Sequence, residues 1–162
     1  MNDLEPKFEK AAEIIARWTW EAGTMLPKTP DNILTFIRGG RYVIRWNGDE
    51  TPAGFGAITF EWPDNWLELG CVVVEPNHRE RGLGHVIVAD LVSLAKTKDP
   101  FSRLFALCNS RSLKLFLDAG GVVITDHDLL PSEVWGECVH CPMRFEAQKI
   151  NKLCCDTPVE IK

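Results

Sequence analysis

The chain has 162 residues, 45% of them hydrophobic, which is ample for one packed core, and a formal net charge of −5. An acidic surface repels nucleic acid and anionic membranes alike and leaves a small partner, a cationic one included. The N-terminus lacks the basic-then-apolar pattern of a secretory signal, and no apolar run is long enough to span a bilayer, so a cytoplasmic location is expected.

From Leu4 to about Glu21, Phe8, Ala11, Ala12, Ile15 and Trp18 recur at intervals of three and four, the spacing of one buried helix face. A short helix over Asn32–Arg38 stops at Gly39-Gly40. Three strands follow, Arg41–Trp46, Gly54–Trp62 and Trp66–Glu75, and the short turns between them require an antiparallel meander. The remaining elements are a helix over Gly84–Lys96 with Leu83, Ile87, Leu91 and Leu94 on one face, a strand over Arg103–Cys108, a helix over Ser110–Ala119 and a strand over Val122–Thr125. A last strand is expected near Cys141–Ala147, inside a cysteine-containing tail over about 132–162. This order is a mixed α/β plan in one domain, 1–162.

Chemistry concentrates where the Val-rich strand gives way, through Glu75-Pro76-Asn77-His78-Arg79-Glu80-Arg81-Gly82, to the helix beginning near Gly84. The first N–H groups of a helix have no partner within it and point outward at the positive end of its dipole, so backbone alone can hold a phosphate. Gly82 and Gly84 allow close approach, and Arg79 and Arg81 can add charge-assisted bonds.

Arg79-x-x-Gly82-x-Gly84 after a valine-rich strand resembles the pyrophosphate signature of the GCN5-related N-acetyltransferase (GNAT) family. The later stretch Asn109 to Gly121 resembles that family's second segment, an Asn before a helix that ends in an aromatic residue and Gly-Phe. The resemblance covers roughly Arg41–Thr125. It implies a splayed mixed sheet flanked by helices, with acetyl-CoA as co-substrate and direct acetyl transfer to an amine, small molecule or protein, in a ternary complex. It also implies that main-chain groups of Val72, Val73 and Val74 bind the pantetheine arm, that Glu80, Arg81, Gly82, Leu83, Gly84 and His85 hold the pyrophosphate, and that Asn109 binds the pantetheine amides. The family often places a carboxylate where this chain has Glu68, which makes Glu68 the candidate general base; Glu61 is a poorer candidate. Two positions depart from the pattern. Phe116 stands beside the cofactor where the family often has a Tyr that protonates the leaving thiolate, and Gly121 replaces the usual Phe.

The six cysteines read as reduced thiols or metal ligands, with Cys71 and Cys108 as small buried residues. Cys138-x-x-Cys141 followed by Cys154-Cys155 could bind zinc through four thiolates, or through three with His140. Neighbouring Cys154 and Cys155 point apart in most backbones, so reduced thiols without metal are expected. Two other classes of function stay open beside catalysis: an acyl-CoA-binding module of little turnover, kept alive by Phe116, and an interaction module built on the tail.

Overall fold

A computed structural model describes residues 4–48, 50–140 and 155–162. Helix α1, Pro6–Ala22, starts with proline in its first turn, where the missing N–H costs nothing, and ends at Gly23 in the left-handed conformation. Helix α2, Pro30–Arg38, starts two residues before the sequence expectation, because Thr29 caps it. The Thr29 side chain accepts from the Asn32 N–H, and the Asn32 side chain accepts from the Thr29 N–H, a reciprocal capping box. Thr19 ties the loop between the two helices down: its hydroxyl donates to the Ala16 carbonyl at 2.7 Å and accepts from the Lys28 N–H at 2.8 Å.

The strands are β1 (Tyr42–Asn47), β2 (Thr51–Trp62), β3 (Trp66–Val74), β4 (Arg103–Cys108), β5 (Gly121–Val123) and β6 (Thr157–Ile161). They form one sheet in the order β1-β2-β3-β4-β6-β5, and β3–β4 is its parallel pair. The first three strands make the expected antiparallel meander. The end of the chain departs from the sequence reading: Thr157–Ile161 is not tail but a strand inserted between β4 and β5, with Val159 and Ile161 buried. The strand expected near Cys141–Ala147 lies outside the described residues.

Side-chain alternation sorts the core onto two faces of the sheet. Phe55, Ala57, Cys71 and Val73 pack under α1 and α2. Ile58, Leu67, Leu69, Leu104, Ala106 and Cys108 point the other way, toward helices α3 (Leu83–Lys98) and α4 (Leu113–Asp118). On the α1 side a third cluster joins Trp66 and Phe105 to Ile124, Leu130 and Val134. Among the described residues no helix is long and apolar enough to cross a membrane.

Gly121 is where α4 closes on the sheet. A Cβ there would lie 2.4 Å from Val159 Cγ1 and 2.6 Å from the Phe116 carbonyl oxygen. Overpacking of this kind costs about 1–3 kcal/mol. Gly121→Ala is therefore expected to lower the melting temperature by several degrees, roughly 2–4 °C per kcal/mol at this size. A scanning-calorimetry trace that matches the parent protein would contradict this packing.

Candidate active site

The β3–β4 ladder is short: Trp66 faces Arg103, Leu67 faces Leu104 and Glu68 faces Phe105. Beyond Glu68 the two strands part company. β4 continues beside β6 as far as Cys108, while β3 continues beside β2 as far as Val74. A bulge marks the divergence. Cys71 has a left-handed φ of 51°, and the register between β2 and β3 shifts from Ala57↔Gly70 to Phe55↔Val73. A wedge thus opens with Glu68 at its apex and the backbone of Val72, Val73 and Val74 along one wall.

At the wide end the chain leaves β3 through Glu75. Its carboxylate contacts the His78 ring and accepts from the Asn77 amide. Arg79 Nε donates to the Val74 carbonyl at 3.3 Å. Glu80 and Gly82 are both left-handed, with φ of 64° and 79°, and Gly82 is the N-cap residue of α3. Among the described residues no side chain caps this helix, in contrast to α2. Among the described residues nothing beyond the adjoining chain lies within 4 Å of the Cβ position of Gly82, which leaves room for a ligand there. Gly84 serves a different purpose: its Cβ position is 3.3 Å from Leu115, the contact through which α4 packs on α3.

Asn109 follows β4 and is 6% exposed. Its Oδ1 accepts from the N–H groups of Arg111 and Ser112 at 2.9 and 3.0 Å, and its Nδ2 donates to the Thr24 carbonyl at 2.6 Å. The side chain therefore shapes the entry to α4 and ties it to the loop between α1 and α2. Glu68 is half-buried, and its Oε2 accepts from Trp62 Nε1 at 2.7 Å.

Residues 7–120 match the family model described as Acetyltransferase (GNAT) family. The chain belongs to the GNAT family. Over 70 residues this GNAT chain is 39% identical to an amino-acid acetyltransferase of Shewanella oneidensis, a match that covers 43% of the chain and 15% of that protein. In fold it is similar to a Mycobacterium tuberculosis protein crystallised with CoA and NLQ (TM-score 0.68, 19% identity, 94% of each chain). It is similar also to the N-acetylglutamate synthase of Neisseria gonorrhoeae crystallised with coenzyme A and N-acetyl-glutamate (TM-score 0.69, 18% identity, 99% of this chain and 34% of that one).

Within the GNAT frame, Glu68, Val72–Val74 and the Arg79–Gly82 turn follow one another along β3 and out of its end. Three other sequence candidates have partners of their own. Phe116 is 3% exposed, packed among Val88, Leu104 and Ile161. His85 Nε2 pairs with Asp118 Oδ2 at 2.8 Å, and Lys114 reaches the same oxygen at 2.6 Å. Lys114 first, then His85, hold the Asp118 carboxyl below its ordinary value. Asn109 is the third. Burial pushes the Cys71 and Cys108 thiols up to about 12, well above the range of an activated thiolate. Cys141 and Cys154 lie outside the described residues; among the described residues no cluster of His, Cys, Asp and Glu is arranged to hold a metal. The sequence reading missed Trp62 and Thr24. The signal for Trp62 was its place six residues before Glu68 across the Pro63-Asp64-Asn65 turn.

Proposed function

We propose that the whole chain is one N-acetyltransferase domain that moves the acetyl group of acetyl-CoA to the amino group of an amino acid by direct attack in a ternary complex. The observation that carries this reading is the position of Glu68 at the last paired residue of the β3–β4 ladder. A carboxylate at the apex of the wedge stands where a thioester lying along Val72–Val74 would meet an incoming amine. The amino-acid acceptor is supported by the stretch of sequence shared with the Shewanella oneidensis enzyme.

In this reading the pyrophosphate lies on the turn from Arg79 to His85 and takes its hydrogen bonds from the uncapped start of α3. Acetyl-CoA supplies the activated acyl group. Glu68, directly or through a water, takes the proton that the ammonium must lose before its nitrogen can attack. The nitrogen attacks the thioester carbon, a backbone N–H near Val73 faces the transient oxyanion, and its collapse breaks the C–S bond while the nitrogen sheds its second proton to solvent. CoA leaves as the thiolate. Phe116 has no proton to give, and a thiol with a pKa of about 8.5 departs without one. Asn109 Nδ2 has a second N–H beyond the one it gives to Thr24, and that is the donor it offers the pantetheine arm. The test is amine-dependent release of CoA thiol with the N-acetylated product identified by mass spectrometry.

A further inference from the structure

We infer that Trp62 is a positioning residue for Glu68, its indole N–H fixing the carboxylate that accepts the amine's proton. The inference rests on the reading of Glu68 as the base. It starts from the hairpin. Phe60 faces Glu68 and Trp62 faces Trp66 across the β2–β3 pair, which puts all four side chains on the α1 side of the sheet. The register shift between Ile58 and Phe60 leaves Thr59 as the extra residue, and its hydroxyl donates to the Glu68 carbonyl at 3.3 Å. The Trp62↔Trp66 and Phe60↔Glu68 pairs next to the turn set Trp62 and Glu68 diagonally across one face.

Contacts that do not involve Glu68 hold the indole in place. Trp62 lies 4.9 Å from the Phe60 ring and packs on the Trp66–Phe105 cluster, in which the two rings meet edge to face at 5.5 Å. Trp66 is in turn covered by the Arg103 guanidinium at 4.0 Å, and Arg103 is bonded to Glu160 at 2.9 and 3.0 Å. The donor is therefore aimed before substrate arrives. An indole N–H donates and cannot accept, so it neither relays a proton nor competes for one. It favours the ionised carboxylate, the form a base must have, and the rings beside it limit water, which strengthens the bond. Among the described residues, the ionisable groups on this side of the sheet include Arg103 and Glu160, paired with each other, Tyr42 against Phe55, Lys7 over the Trp46 ring, Lys28 near Cys71, and His127 and Asp128 in the turn before Leu130.

Two readouts separate this claim from the one beneath it. The first is the Glu68 titration, followed by carbon-13 NMR of its side-chain carboxyl. Trp62→Phe is expected to raise the midpoint by about one pH unit, a ten-fold change in the ionisation equilibrium. An unchanged midpoint overturns the inference. Should the Phe variant fold poorly, the isosteric benzothienylalanine at position 62 removes only the N–H, and the same shift is expected. The second is acetyl-CoA turnover with an equimolar mixture of the twenty amino acids as acceptor. Trp62→Phe is expected to slow it about ten-fold at pH 6 and less at pH 9, and the double variant with Glu68→Gln is expected to be no slower than Glu68→Gln alone. Losses that multiply would show that Trp62 acts elsewhere and overturn the inference. Full activity in Glu68→Gln would instead remove the base, leaving the titration to decide whether Trp62 governs that carboxylate.

Discussion

Glu68→Gln is expected to lower kcat by about 10²–10⁴, the usual contribution of a positioned general base, while the acetyl-CoA dissociation constant changes little. The substitution keeps the size and shape of the side chain, and a glutamine oxygen can still accept from Trp62 Nε1, so the apex of the wedge keeps its form. The groups assigned to the cofactor, Val72–Val74 and the turn before α3, stand further along the wedge and are untouched. The loss is expected to shrink as pH rises, because a larger fraction of the acceptor amine is then already deprotonated. Steady-state rates from pH 6 to 10 beside calorimetric titration with acetyl-CoA check both halves. Full activity across that range would return Glu68 to the status of a strand-end charge.

Gly82→Asp is expected to weaken acetyl-CoA binding on the order of 100-fold and to abolish the thermal protection that the ligand gives the parent protein by binding only the folded state. Two unit charges about 4 Å apart repel by roughly 4 kcal/mol at an effective dielectric of 20, and salt at an exposed turn removes part of that. The fold itself is expected to survive. Among the described residues nothing beyond the adjoining chain lies within 4 Å of the Cβ position, and Asp tolerates the left-handed conformation better than most residues, although the φ of 79° carries a cost of about 1–2 kcal/mol. The check is a thermal-shift titration with acetyl-CoA on both proteins. Equal protection of the two would defeat the assignment of the pyrophosphate to this turn.

Much of this architecture could be read from residue spacing, and the exceptions have local causes. The strand Arg103–Cys108 and the α1 face of Ala11, Ala12, Ile15 and Trp18 lie where periodicity puts them. On α3 the buried stripe is Ile87, Val88, Leu91 and Ala95, with Leu83 and Leu94 only half-buried at its border. Helix α4 starts at Leu113 and not at Ser110, since Asn109 Oδ1 takes the N–H groups of Arg111 and Ser112 into a turn. Strand β6 escaped notice because five residues, Thr-Pro-Val-Glu-Ile, are too few for a pattern. Its identity as a strand comes from β4 and β5, partners at least 34 residues away in sequence. At the site, the anion turn and Glu68 were visible as motifs. The contact between Trp62 and Glu68 was not singled out: the hairpin about Pro63-Asp64-Asn65 sets the two on one face, but the bond from indole N–H to carboxylate follows from packing on Trp66 and Phe105, which spacing does not show.

The most direct test of the central claim is an acceptor panel: acetyl-CoA with each amino acid in turn, its Nα-blocked counterpart and simple amines, read by thiol release and by mass spectrometry of the product. Release is expected to depend on a free α-amino group, with the acetyl group recovered on that nitrogen. Release independent of any amine, transfer confined to amines that are not amino acids, or acetyl-CoA bound but never consumed would contradict it.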